Sequence, residues 1–414
     1  MRSVAEMQSD PRAQSIALGE WLLFGALVGV LCGSASALFL TLLEHATRYR
    51  VAHPQLIYAL PLAGLLLGAF YQRFGQSSAA GNSLIIDTIH DDGPELPLRM
   101  APLVLVGTLV THLFGGSAGR EGTAVQMGAG LADALSHRLS LRPSLRRQLL
   151  AAGVAGGFGS VFGTPIAGAI FGLEFVTLGR VEYPALVPAL VAALVGDMTT
   201  RAWGVAHTVY PAPPPLALTV PILLKWVVFA GAVALVTALF IELTHFLKRR
   251  AAQTLPSLAL RMFAGGALVL AAWWLTGTSD YLGLGVPMIV RAFSDPQLPS
   301  YAFAAKLLFT AVTLGAGFLG GEVTPLFFVG AALGNLLAEP LGLPLPLAAG
   351  VGLCAVFASA ANTPLALSVM AVELLGGSLF PHAPIVCVLA YVLSGSRSIY
   401  AAQRVAHPKT GISR

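Results

Sequence analysis

Charge is what this sequence has least of. Only 10% of its 414 residues are Asp, Glu, Lys or Arg, against 56% hydrophobic, and mean hydropathy is +0.77. A water-facing surface for two or three soluble domains cannot be built from so little polar material. Cysteine is also scarce: Cys32, Cys354 and Cys387 stand alone in apolar runs, which excludes a disulfide framework and leaves small core residues as the simplest reading. The nine histidines fall in no metal-ligand spacing, and nothing in the chain calls for a cofactor. A hydrolase would need a nucleophile–base pair, and neither a Gly-x-Ser-x-Gly nor a His-Glu-x-x-His pattern is read here, so no enzyme activity is expected. A net charge of +5 is too small and too scattered to indicate nucleic-acid binding.

What is abundant is apolar sequence. Trp21 to Leu43 carries no charge, long enough to cross a hydrocarbon core of roughly 30 Å. Further apolar stretches lie near 57–71, 100–119, 149–173, 183–197, 226–241, 262–279, 307–321 and 326–338, and Pro340 to Val372 is also free of charge. The pattern predicts an all-α polytopic membrane protein. The leader Met1 to Glu20 lacks the form of a signal peptide. Arg138, Arg142, Arg146 and Arg147 form one basic segment, Lys248, Arg249 and Arg250 a second, and Arg404, Lys409 and Arg414 a third. The positive-inside rule places all three, and both termini, in the cytoplasm. The 45 glycines and 27 prolines interrupt many apolar stretches, predicting short, tilted or broken helices. Irregular backbone at membrane depth survives only where protein buries it or where it lines a pathway.

The chain repeats. Gly163-Thr164-Pro165-Ile166-Ala167 with Glu174 recurs as Asn362-Thr363-Pro364-Leu365-Ala366 with Glu373, a shift of 199 residues (362 minus 163). Gly119-Arg120-Glu121-Gly122-Thr123 aligns with Gly320-Gly321-Glu322-Val323-Thr324 at a shift of 201 (320 minus 119). Two inverted-topology repeats are expected, 21–205 and 206–405, between a cytoplasmic segment 1–20 and a short cytoplasmic tail 406–414 with no soluble regulatory domain. Such halves with interrupted helices mark secondary transporters whose substrate site lies between the repeats. Each Gly-x-Glu-x-Thr block precedes an apolar helix and so marks its N-terminus, where unpaired backbone N–H groups and the helix dipole favour an anion.

Gly119-Arg120-Glu121-Gly122 resembles the Gly-Arg-Glu-Gly motif of the CLC family of chloride channels and antiporters. The blocks at 163–168, 321–325 and 362–365 follow in the family's order, and the likeness covers roughly 20–405. It implies a homodimer with one pathway per subunit in a bacterial-type inner membrane, and Glu121 as the external gating glutamate that exchanges with the anion and couples protons. Three departures are similar to the fluoride/proton antiporter branch. Asn82, in Gly81-Asn82-Ser83-Leu84-Ile85, replaces the serine ligand of chloride-handling members; Thr123 replaces the proline after the gate motif; and Gly321-Glu322-Val323-Thr324-Pro325 replaces the later anion loop. The proton-relay glutamate that follows the position of Glu174 in chloride antiporters is Phe175 here.

A carboxyl in a membrane span is a functional candidate by default. Glu322 would stand in for the missing relay, because low dielectric favours a protonated carboxyl and that form can donate a hydrogen bond to fluoride. Asn82, Gly122, Glu322, Thr324 and Tyr400 are thus the expected anion-binding set, with Glu121 and Glu322 coupling protons; Tyr400, in Ser394-Gly395-Ser396-Arg397-Ser398-Ile399-Tyr400, resembles the tyrosine that closes the family's site from inside. Other readings remain: Glu121, Glu322 and Asn82 as helix caps, Tyr400 as an interfacial anchor, Phe327 as core, Arg120 as a loop brace through backbone carbonyls, and Glu174 with Glu373 as structural partners of loop backbone. The expected activity is fluoride export in exchange for protons, conferring fluoride resistance. A chloride/proton antiporter or chloride channel of the same fold is the alternative.

Overall fold

The computed structural model describes residues 11–91, 95–407 and 409. Among them are sixteen α-helices. The first eight are α1 (Pro11–Ala52), α2 (Leu60–Phe74), α3 (Asn82–Asp91), α4 (Met100–Leu113), α5 (Glu121–Arg138), α6 (Pro143–Phe162), α7 (Pro165–Glu174) and α8 (Leu186–Ala202). The second eight are α9 (Val220–Thr254), α10 (Leu258–Thr276), α11 (Val286–Arg291), α12 (Ala302–Gly315), α13 (Val323–Ala338), α14 (Leu345–Ala361), α15 (Pro364–Leu375) and α16 (His382–Leu393). The two sets correspond in order, and the halves meet where α2 packs on α10 and α7 on α15.

Five helical segments among the described residues are long and apolar enough to cross a membrane, α1 and α9 the longest. Helices such as α7, of 10 residues, reach only about 15 Å at ~1.5 Å per residue and stop part-way. The apolar stretch expected over 149–173 is in fact two helices. Gly163 takes a left-handed φ of 75°, which ends α6, and Pro165 at the first turn restarts the chain as α7. Asn362, at φ 60° before Thr363-Pro364, makes the same break between α14 and α15. Likewise the run expected to 119 stops at Leu113. Within the N-terminal segment, α1 is already helical from Pro11 through Glu20, and the first ten residues lie outside the described ones.

Leu224, Val228, Leu235 and Leu239 are exposed along one stripe of α9, at helical spacing, as a lipid-facing surface requires. By contrast every residue of α14 from Leu347 to Ala361 is buried, so α6 and α14, built from Ala and Gly, form the centre. Gly128 and Gly153 let α5 and α6 approach; a Cβ on Gly153 would stand 2.6 Å from the Gly128 carbonyl oxygen.

One departure from an all-helical chain is a two-residue parallel pairing, β1 (Thr177–Leu178) with β2 (Arg404–Val405). It helps gather the basic segments at one end of the bundle. Arg142 bonds Glu20 at 3.1 and 2.5 Å, Arg147 shares a surface cavity with His90 and Arg180, Arg404 pairs with Thr177, and Arg397 bonds Glu242 of α9, six residues before Lys248 (248 minus 242), at 3.0 Å. Of the tail beyond Val405, Ala406, His407 and Lys409 are described; Arg414 lies outside the described residues.

Candidate anion site

The loops before α5 and α13 pair antiparallel: Gly119 N–H donates to Gly321 O at 2.6 Å and Gly321 N–H to Gly119 O at 2.8 Å. The crossing needs glycine, since a Cβ on Gly321 would lie 2.7 Å from Gly122 N. It brings two helix N-termini face to face, each with unpaired N–H groups.

Glu121 is completely buried there. Its Oε2 accepts the backbone N–H of Arg120 at 3.0 Å and of Thr324 at 3.2 Å, and its Oε1 accepts the Thr324 hydroxyl. The carboxylate thus reaches from one half of the chain to occupy the N-terminus of α13, where charge-assisted bonds to an anion are strong. Gly122, Asn82 and Glu322 border the same small volume. A Cβ on Gly122 would come 3.4 Å from Asn82 Nδ2 and 3.8 Å from Glu322 Oε2. Asn82 opens α3 directly after Gly81, whose φ is 57°, and its buried Oδ1 has no hydrogen-bond partner. A buried polar atom left unpaired at such a place is one that water, a proton donor or a ligand would satisfy.

Tyr400 is buried against the edge of Phe175, ring centroids 4.8 Å apart. Its segment is docked by Ile399 N–H to Ala360 O at 3.0 Å and by Asn362 Nδ2 to Arg397 O at 3.0 Å. Glu121, Gly122, Asn82, Glu322 and Thr324, five of the six residues expected to bind the anion or gate it, therefore border one small volume, while the contacts of Tyr400 are to Phe175 and its own segment.

The model of the voltage gated chloride channel family matches residues 63–395. The chain belongs to this family. It is 51% identical over 403 residues, covering 95% of this chain and 88% of the relative, to the chloride/fluoride channel protein of Pseudomonas syringae pv. tomato. A putative chloride channel protein ClcB-like of Ralstonia nicotianae is 28% identical, with 83% of this chain and 84% of that one covered. Among solved structures, a CLC-type fluoride/proton antiporter superposes with a TM-score of 0.91 at 36% identity, over 94% of this chain and 98% of that chain. A slow cyanobacterial Cl-/H+ antiporter, at 18% identity and a TM-score of 0.81 over 92% of this chain and 96% of that one, shares the fold.

Other residues of this CLC chain find structural work. Glu174 accepts Leu365 N–H at 3.2 Å and Ala366 N–H at 2.8 Å, capping α15. Glu373 accepts Ile166 N–H at 3.0 Å and Ala167 N–H at 2.7 Å, capping α7. Each half's glutamate satisfies the orphan donors of the other half's helix. Phe327 is core, packed between Phe162 and Phe357 at 5.3 and 5.9 Å. Arg120 does not brace carbonyls as expected: its Nε makes no hydrogen bond and stands 3.6 Å from Glu121 Oε1. Gly115-Gly116-Ser117-Ala118-Gly119 does spell Gly-x-Ser-x-Gly, yet Ser117 is buried, its Oγ 2.9 Å from Thr310 Oγ1, and serves helix packing; the family is one of channels and transporters.

Sequence reasoning missed Lys306. It is fully buried, donating to Tyr281 O at 3.0 Å and Gly283 O at 2.7 Å. A single lysine in an apolar helix was the available signal.

Proposed function

We propose that this protein is a fluoride/proton antiporter that exports fluoride from the cytoplasm against inward proton flow, giving fluoride resistance. The observation that carries this reading is the seat of Glu121. Its carboxylate holds the donors of Thr324, beside Asn82 and Glu322, in the position an exported anion would need. As long as Glu121 is ionised, those donors are taken. Protonation removes the charge that holds it there, so the side chain leaves and a fluoride ion replaces it. Fluoride gives up its water reluctantly, and the Thr324 hydroxyl and N–H, the Asn82 amide and a protonated Glu322 would supply the close donors that offset this loss. Chloride, larger and softer, gains less from the same set. Tyr400 closes the inner side of the pathway. The departures at Asn82, Thr123 and Glu322, together with the names of the 51% and 36% identical relatives, support fluoride over chloride.

In this reading the protein sits in a bacterial inner membrane with the basic end of the bundle and both termini in the cytoplasm. Residues 21–205 and 206–405 are the two repeats, and the working unit is a homodimer with one pathway per subunit. The test is efflux from liposomes loaded with fluoride or chloride, with external pH followed. Fluoride efflux well above chloride, with proton movement against a gradient, is expected. Equal or faster chloride movement overturns the reading in favour of a chloride transporter, and fluoride movement without protons replaces it with a channel.

A further inference from the structure

We propose that His207 is the outer proton-transfer residue of this transporter, passing protons from the medium to Glu121. The inference rests on the antiport reading above. Glu121 is completely buried, so a proton cannot reach it by direct collision with bulk water. Beside it lies a cavity of about 660 Å³, lined by Glu44 and Arg48 of α1, by Arg120, and by 203–208 of the connection between α8 and α9, including His207. Arg48 is 28 residues along α1 from Glu20 (48 minus 20), about 42 Å of helix, so the cavity is at the end away from the basic segments. That is the side from which protons enter in an exporter of cytoplasmic fluoride.

The ring of His207 is held with care for its position. Its side chain is 9% exposed, and it lies over Gly163, where a Cβ would come 2.7 Å from the imidazole Cγ. The left-handed glycine that ends α6 thus also makes room for the ring. Nε2 is 3.2 Å from Asp197 Oδ1, but neither ring nitrogen has an aligned hydrogen-bond partner. Asp197 is itself held by Arg201 Nε at 2.8 and 3.0 Å. A buried imidazole beside a carboxylate, in the wall of a polar cavity, suits uptake and release of a proton.

Among the charged groups around it, His207 is the one fitted to the task. Arg120, Arg48 and Arg201 stay protonated and cannot relay. Glu44 is exposed and bound to Arg48, and Asp197 is bound to Arg201. Arg120 both lines the cavity and stands with its Nε 3.6 Å from Glu121 Oε1. Tyr210, three residues further along the same connection, is buried. The step moves one proton: an imidazolium N–H bond breaks, water carries the proton past Arg120, the Glu121 O–H bond forms, and the medium reprotonates the imidazole.

The test uses the full chain in liposomes under a fluoride gradient, with fluoride and external pH recorded together. Wild type is measured first; absence of proton movement there defeats the antiport reading itself. With coupling established, His207→Gln is expected to slow proton and fluoride fluxes together by at least about tenfold at an outer pH near ~7.5, and far less near ~5.5, where protons are plentiful. Imidazole added outside should restore the flux, while fluoride binding in detergent stays at the wild-type level. Asp197→Asn keeps the ring and removes the carboxylate 3.2 Å from its Nε2, so the flux at the higher pH should fall in that variant too. Wild-type flux of His207→Gln at the higher pH overturns the proposal. So does a loss that imidazole fails to restore, or wild-type flux in Asp197→Asn.

Discussion

Thr324 gives both its backbone N–H, at 3.2 Å, and its hydroxyl to the carboxylate of Glu121, a residue 203 positions earlier in the chain. The two residues therefore belong to different halves of the molecule. On the proposed reading, movement of Glu121 changes how the halves are joined.

Glu121→Gln keeps the shape of the side chain and removes its titration. Proton movement in the liposome assay should fall to that of protein-free vesicles, at least about a hundredfold below wild type on the usual scale for loss of an acid–base group. Retained proton coupling in this variant would show that another group carries the proton.

Thr324→Val removes one hydroxyl donor and keeps the backbone N–H. A lost hydrogen bond to a charged partner is worth about 1.5–3 kcal/mol, so fluoride affinity by calorimetry should drop roughly tenfold to a hundredfold. Thr324→Ser should bind within about threefold of wild type, the hydroxyl being kept. Equal affinity in all three would remove Thr324 from the site.

Glu174→Ala and Glu373→Ala each strand two N–H groups at the start of a helix in the opposite half. Each should lower stability by about 1–2 kcal/mol, as loss of a helix cap does, seen as an earlier unfolding transition in detergent. The fluoride-to-proton ratio of the surviving protein should not change. A changed ratio would mean that one of these carboxylates carries protons.

Asp133 is fully buried at the basic end, bonded by Arg146 at 2.6 and 3.0 Å and by Leu96 N–H at 2.7 Å. Asp133→Ala removes the buried carboxylate that Arg146 and the Leu96 N–H both bond, and should destabilise the fold by about 3–5 kcal/mol. Little folded protein is expected from expression at 37 °C, and a normal yield with a normal unfolding transition would contradict the burial argument.

Much of the site was legible because it is written in short motifs. Gly119 to Thr123 and Gly320 to Thr324 each announce a helix start, and the structure begins α5 at Glu121 and α13 at Val323. The mirrored positions of Glu174 and Glu373 suggested a shared structural task, and both are caps. Hydropathy failed at Gly163-Thr164-Pro165, because a break of two or three weakly polar residues leaves a long stretch just as apolar on either side of it. It also underestimated α1 and α9, since a helix continues through charged residues once its ends leave the hydrocarbon. The pairing of Thr177–Leu178 with Arg404–Val405 gave no signal, two residues being too few for any pattern. The nearness of His207 to Asp197 was equally hidden, because one lies on an irregular connection and the other on a helix.

Composition and repetition by themselves determined that this chain lies in a membrane as two related halves, with carboxylates at helix starts that hydrocarbon would not tolerate without a purpose. Those properties depend on which side chains are present and at what spacing. Only the tertiary structure decided what the carboxylates face. Apart from the Thr324 hydroxyl, the donors that Glu121 meets are backbone N–H groups, identical in every residue type except proline, and so they become a site only when the pairing of Gly119 with Gly321 aims two helix ends at the same point.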